Sequence, residues 1–153
     1  LSNAHLLNTT LQEFDPEGQS FDIVLLHNSI NHLDEEACIN LLKSSDAKAR
    51  YDSIFSKLRQ LGLPGSSLII VDASRYNFFS LLHLKNPVAR SMEWHKHQSP
   101  TVWARVLGEY GFSNPKIRWS SFNTFRELGR FFLGNRIAFY FLTSHFVLQM
   151  RRR

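Results

Sequence analysis

The 153-residue chain has one cysteine, Cys38, and seven glycines, none of them in a G-x-G-x-x-G arrangement. A lone cysteine excludes an internal disulfide framework and suits a reducing compartment, so a cytoplasmic location is expected. The glycines fall at turns and helix ends, and the Gly-rich turn that cradles phosphates in dinucleotide folds is missing. No serine sits in a G-x-S-x-G context, which excludes the nucleophile elbow of the hydrolases built on parallel sheets. No stretch reaches the roughly 18 apolar residues of a membrane span, because Ile137 to Met150 is interrupted by Thr143, Ser144, His145 and Gln149. His95 and His97 form an H-x-H pair, but spacing supplies no third ligand and there are no cysteine pairs, so no metal is expected. Nothing resembles a secretory signal. The chain opens on Leu1 rather than Met and reads as the later part of a longer protein.

What is present is a balanced, core-forming composition. At 43% hydrophobic and 13% aromatic the chain can bury the core of one compact domain. Eighteen basic residues stand against 13 acidic, a formal charge of +5. Three of the eighteen are Arg151, Arg152 and Arg153 at the terminus and the rest are scattered, which reads as a solvated surface with a basic tail and disfavours a nucleic-acid partner.

The most informative run is Phe21 to Asp34. Ile23 to Leu26 is continuously aliphatic, as in a parallel strand covered on both faces. It breaks into His27, Asn28, Ser29, Asn31 and His32, and Asp34 then offers a helix cap. Open sheets of this kind bind ligands at the carboxyl ends of their strands, so this polar cluster is the expected site. His5 to Thr9 reads as an earlier strand. From Asp34 a helical pattern runs to Gly62-Leu63-Pro64-Gly65, with a break over the polar Ser44 to Ala49. Ser67 to Val71 is a second buried strand ending at Asp72. Arg75 to Lys85 reads as helical and Asn86 to Gln98 as irregular. Ser99-Pro100 starts an amphipathic helix containing Trp103 that ends at Gly111. Lys116 to Ser120 and Thr143 to Met150 are the last strands, and a helical insertion lies between them at about 122–135.

This order of parts resembles the carboxyl-terminal two thirds of a class I S-adenosylmethionine-dependent methyltransferase domain, from about its third strand onward. The Phe21-Asp22 strand with Asn28 and His32-Leu33 resembles that family's fourth strand. Ser67 to Asp72 resembles the fifth, and Ser99-Pro100, Trp103 and Gly111-Phe112 resemble the helix that follows. The resemblance implies a Rossmann-like α/β fold, mostly parallel, ending in an antiparallel strand pair. It implies S-adenosylmethionine as cofactor and methyl transfer to a small molecule or biosynthetic intermediate, with this chain supplying the acceptor side and part of the cofactor site. Without a Gly-rich turn, weak cofactor binding by the chain alone is expected.

Residue by residue, Thr10 stands where the family usually carries an Asp beside the adenine, with the Leu11 backbone N–H next to it. His27 and Asn28 match the positions beside the cofactor's methionine part. For the acceptor the resemblance points to Asn31, Tyr76, Trp94, His95 and His97, and His32 is the candidate general base, its alternative role being a hydrogen bond that orients the loop. The Phe-rich end, from Phe122 to Phe146, suits a lid, a homodimer surface or a membrane-surface patch. A non-catalytic methyltransferase-like binding or assembly module remains the competing reading.

Overall fold

The computed structural model describes residues 4–87, 89–120, 136–142 and 144–153. Its helices begin where short polar side chains take up orphan backbone amides. Asp34 accepts from the Ala37 N–H at 3.0 Å and starts α1 (Glu35–Asn40), whose first turn is acidic. Ser44 accepts from the Ala47 N–H at 3.2 Å and starts α2 (Ser45–Leu61). The break between these two helices therefore falls before Ser44, and the polar stretch expected to be the break is the first turn of α2. Ser99 caps α4 (Pro100–Glu109) with proline at the first helical turn, as the sequence implies. Gly111, at φ +85°, ends that segment in the left-handed region where a side chain would be strained.

Between them, α3 is only Phe78–Leu81, shorter than the Arg75 to Lys85 pattern suggests. The reasons are local. Asn77 caps at Phe79 and His83 takes φ +55°, so the helical spacing has room for barely one turn. Residues 89–98 are irregular apart from a 3₁₀ turn at Trp94–Lys96. The last described helix is α5 (Arg136–Phe141). The insertion expected at 122–135 lies outside the described residues.

Four strands, β1 (Phe21–His27), β2 (Gly62–Ala73), β3 (Phe112–Ser120) and β4 (His145–Arg152), form one sheet in the order β1-β2-β4-β3. β1 runs parallel to β2, while β4 is antiparallel to both β2 and β3. The antiparallel terminal pair is as expected. The mostly parallel sheet is not: among the described residues only one strand pair is parallel. His5 to Thr9 adds no strand, since the segment is irregular, with Leu6 and Leu7 97% and 65% exposed.

One face of the sheet carries the core. Tyr51, Ile54, Phe55 and Leu58 of α2, and Trp103, Val106 and Leu107 of α4, pack on Leu26, Leu68, Ile70, Phe146, Leu148 and Met150. The Tyr51, Phe55 and Trp103 rings lie with centroids 5.3 to 6.2 Å apart. The opposite face is open at β1, where Ile23 is 61% and Leu25 57% exposed. The expectation that both faces of β1 are covered is thus corrected: α1, α2 and α4 all contribute to the one core, so the alternate aliphatic side chains meet solvent.

Candidate functional site at the carboxyl ends of β1 and β2

β1 ends at His27, and Asn28 turns the chain with φ +49°, a conformation asparagine tolerates better than most residues. The Asn28 N–H still donates to the Val71 carbonyl at 2.8 Å, so the turn is stitched to β2 as it leaves the sheet. His27 and Asn28 are both exposed there. The Thr10–Phe14 turn lies against the same loop, because Gln12 Nε2 donates to the Leu33 carbonyl at 3.1 Å. Leu11 is half-buried on the core. The Thr10 hydroxyl is engaged locally, donating to Glu13 Oε2 at 2.8 Å while it also receives the Glu13 N–H. The Thr10–Phe14 turn is thus tied, through Gln12, to the loop that begins at Asn28.

The acceptor-side residues divide into a clamp and a rim. Asn31 is fully buried: its Nδ2 donates to the Ala73 carbonyl at 3.1 Å and its Oδ1 accepts from the Gln98 N–H at 2.8 Å. One side chain thereby joins the loop after β1, the end of β2 and the start of the α4 cap. The Cys38 thiol also reaches Asn31 Oδ1, and burial pushes its pKa up to about 12, leaving an inert packing group. Trp94 and His97 are buried under the loop, whereas His95 and Tyr76 are exposed on it. The His95 carbonyl accepts from Arg75 Nη2 at 3.0 Å, and the Tyr76 carbonyl accepts from the Ser144 hydroxyl at 2.8 Å, which ties this rim to the start of β4.

His32 lies in the loop between β1 and α1. Its Nδ1 is 2.8 Å from Glu35 Oε1, and its ring meets the His97 ring edge-on at 5.3 Å. Lys96 Nζ bridges Glu35 at 3.1 Å and Glu93 at 2.7 Å. The His32 hydrogen bond, followed by that of Lys96, holds the Glu35 carboxyl below its usual range. With Nδ1–H donated to a carboxylate, the ring nitrogen left over is Nε2, which is the arrangement a general base needs. Glu35, Lys96 and Glu93 are the residues that reading the sequence passed over. A Glu three positions after a His at a helix start was the available signal. Asp72, 2% exposed, accepts at Oδ1 from the Ala73 N–H at 2.7 Å, and its Oδ2 has no partner among the described residues.

His97 gives the site a pH signature. Burial lowers its pKa from the ordinary 6.5, an effect only partly opposed by the Asp72 charge, and its Nδ1 lies 3.0 Å from the Glu93 carbonyl. A histidine kept neutral in the folded state takes its proton first in the unfolded chain. Its contribution to stability is therefore complete above pH 6.5 and is lost as pH falls from there towards the lower folded value. In urea titrations across that window, His97→Gln is expected to flatten the fall in stability by up to one proton's worth of slope. An unchanged slope would assign the acid sensitivity to other groups.

A parallel pair joined through helices, with the antiparallel β4 inserted between β2 and the edge strand β3, is a Rossmann-like arrangement that this chain shares with solved SAM-dependent methyltransferases. The solved structures it resembles are of that kind. One is a SAM-dependent methyltransferase from Thermotoga maritima, described as a possible histamine N-methyltransferase, with TM-score 0.59 and 15% identity, covering 96% of this chain and 63% of that one. Another, from Nostoc punctiforme, is named as a candidate O-methyltransferase, with TM-score 0.55 and 14% identity, covering 99% of this chain and 37% of that one. The chain therefore spans less than two thirds of the length of these neighbours, and the likeness is one of fold. No family model matches the sequence, and no curated protein does. Among the described residues no helix is long and apolar enough to cross a membrane.

Proposed function

We propose that this chain forms the acceptor side, and part of the cofactor side, of an S-adenosylmethionine-dependent methyltransferase acting on a small molecule in the cytoplasm. The observation that supports the reading is the strand-end loop: β1 ends in an exposed His27-Asn28 turn, the same loop carries the Glu35-held imidazole of His32, and Gln12 ties the Leu11 turn to it, in a fold like that of solved methyltransferases. The residues present fit part of the cofactor. The Leu11 N–H suits the adenine, and the His27 and Asn28 backbone oxygens suit an ammonium. Thr10, with its hydroxyl turned to Glu13, contributes to the shape of that turn.

When bound, S-adenosylmethionine supplies a methyl group activated by a positive sulfur. The chain's part is alignment, exclusion of water and proton removal. His32 Nε2 takes the acceptor's proton, while Glu35 holds Nδ1–H and stabilises the charged ring. Asn31, Trp94 and His97 act from below, keeping the loop in place, and Tyr76 and His95 face the acceptor.

The competing reading, a binding module without catalysis, draws on Thr10 standing where an acid is usual. Ultraviolet cross-linking with methyl-labelled S-adenosylmethionine, followed by peptide mapping, separates the two. Label concentrated on peptides containing Leu11 and His27-Asn28 is expected of the methyltransferase reading. Label absent at cofactor concentrations high enough to load a weak site, or spread in proportion to exposed aromatics, would favour the binding module.

A further inference from the structure

The β3–β4 hairpin breaks an ordinary rule of sheet design. Its two strands carry Lys116, Arg118, Arg151 and Arg152 and not one carboxylate. In the register, Ser113 stands opposite Arg151 and Lys116 opposite Gln149, so Lys116 and Arg151 lie near one another on the same face, away from the buried Leu148 and Met150. Like charges side by side on a sheet destabilise it, and a protein keeps such an arrangement where something else recovers the cost. Among the described residues no ion pair involves Lys116, Arg118 or Arg151.

The backbone makes a concavity there. Between Ser113 and Lys116 the register slips, with Asn114 at φ +55° and Pro115 beside it, a bulge on an edge strand. The resulting cavity, of about 390 Å³, is lined by Asn114, Pro115, Lys116, Gln149, Met150 and Arg151. Its polar groups are two cations and two side-chain amides, a set that offers many donors and no competing negative charge. Arg151 is already held: its Nη1 donates to the Gly65 carbonyl at 2.9 Å, which leaves the other guanidinium nitrogens for a ligand. The cavity sits beside the start of β2, where Ser67 pairs with Arg151, whereas the methyltransferase-like site is at the far end of that strand, beside Ala73. The two are separate places on the sheet.

We propose that this cavity is a binding site for a phosphoryl-bearing ligand, held by Lys116 and Arg151 with the Asn114 and Gln149 amides completing the hydrogen bonds. The inference is independent of methyl transfer. A face that also carried stacking aromatics would suit single-stranded nucleic acid, but the hairpin's Trp119 and Phe146 lie on the core side. A compact phosphate or pyrophosphate fits the set better. The same chemistry is offered by a free phosphorylated metabolite and by a lipid phosphate headgroup.

The test titrates the isotope-labelled 153-residue chain with sodium pyrophosphate at constant ionic strength and follows its amide resonances. Saturable shifts confined to Asn114–Arg118 and Gln149–Arg151 are expected. Lys116→Gln, a change at an exposed side chain, should weaken binding about tenfold, since a charge-assisted hydrogen bond of that order is lost. Arg151→Lys should weaken it less and shows that folding, read by the unchanged dispersion of core resonances, is intact. Co-flotation with phosphatidylglycerol vesicles, sensitive to Lys116→Gln, with no response to pyrophosphate would place the phosphate on a lipid. No shifts, shifts spread beyond these two segments, or shifts that survive Lys116→Gln in full, each together with no flotation, would overturn the proposal.

Discussion

Asn31→Ala is expected to cost roughly 2–4 kcal/mol of stability, because two buried backbone groups lose their partner at once. The Ala73 carbonyl and the Gln98 N–H, which Asn31 joins from opposite sides, have no water to turn to at a side chain that is 0% exposed. The effect reaches the candidate site, since that bridge positions the loop from Trp94 to Ser99 over the end of β2. Urea denaturation measures the loss, and hydrogen exchange at the Gln98 amide should accelerate along with it. A loss below about 1 kcal/mol would mean that the loop is held by other contacts, with Gln98 Nε2 on the Cys38 carbonyl the first to examine.

Trp103→Ala should be still more damaging, on the order of 3–5 kcal/mol. Trp103 is completely buried between Tyr51 and Phe55, and the sheet and α2 share it as a common neighbour. Against the usual total of about 5–15 kcal/mol, that loss leaves much of the chain unfolded at physiological temperature. Trp103→Phe is the informative control. Its indole N–H is buried with no partner among the described residues, so the change to Phe discards an orphaned donor along with some volume. The expected cost falls to about 1–2 kcal/mol, read by thermal or urea unfolding. Equal costs for the two substitutions would show that the orphaned N–H has a partner in solution.

How far the fold could be read from residues alone depended on whether the signal was local. Asp34, Ser99-Pro100 and Gly111 are chemical start and stop marks whose hydrogen bonds close within a few residues, and the structure places them as read. The two aliphatic runs were legible as strands from their own composition, although their pairing, Ile23 with Ser67 through His27 with Val71, spans more than forty residues. Ser44 to Ala49 misled because a cap and a loop have similar composition, and the difference lies in whether one side chain reaches one amide. The open face of β1 was illegible, since Ile23 and Leu25 look the same whether or not a layer covers them. His5 to Thr9 forms no strand, although β1 stands at the edge of the described sheet. In the site, His32 and Asn28 stood out by position, while the clamping role of Asn31 depends on Gln98, 67 residues away, a contact that no spacing rule encodes.

The account rests on a cofactor site at the end of β1, and a paired amide-shift titration of the labelled chain with adenosine and with S-adenosylhomocysteine tests it most directly. Adenosine should move the Leu11 amide and its neighbours, and S-adenosylhomocysteine should move those and also His27 and Asn28, weakly in both cases because the chain has no Gly-rich turn. Identical maps for the two ligands, or shifts that avoid both segments, would contradict the account.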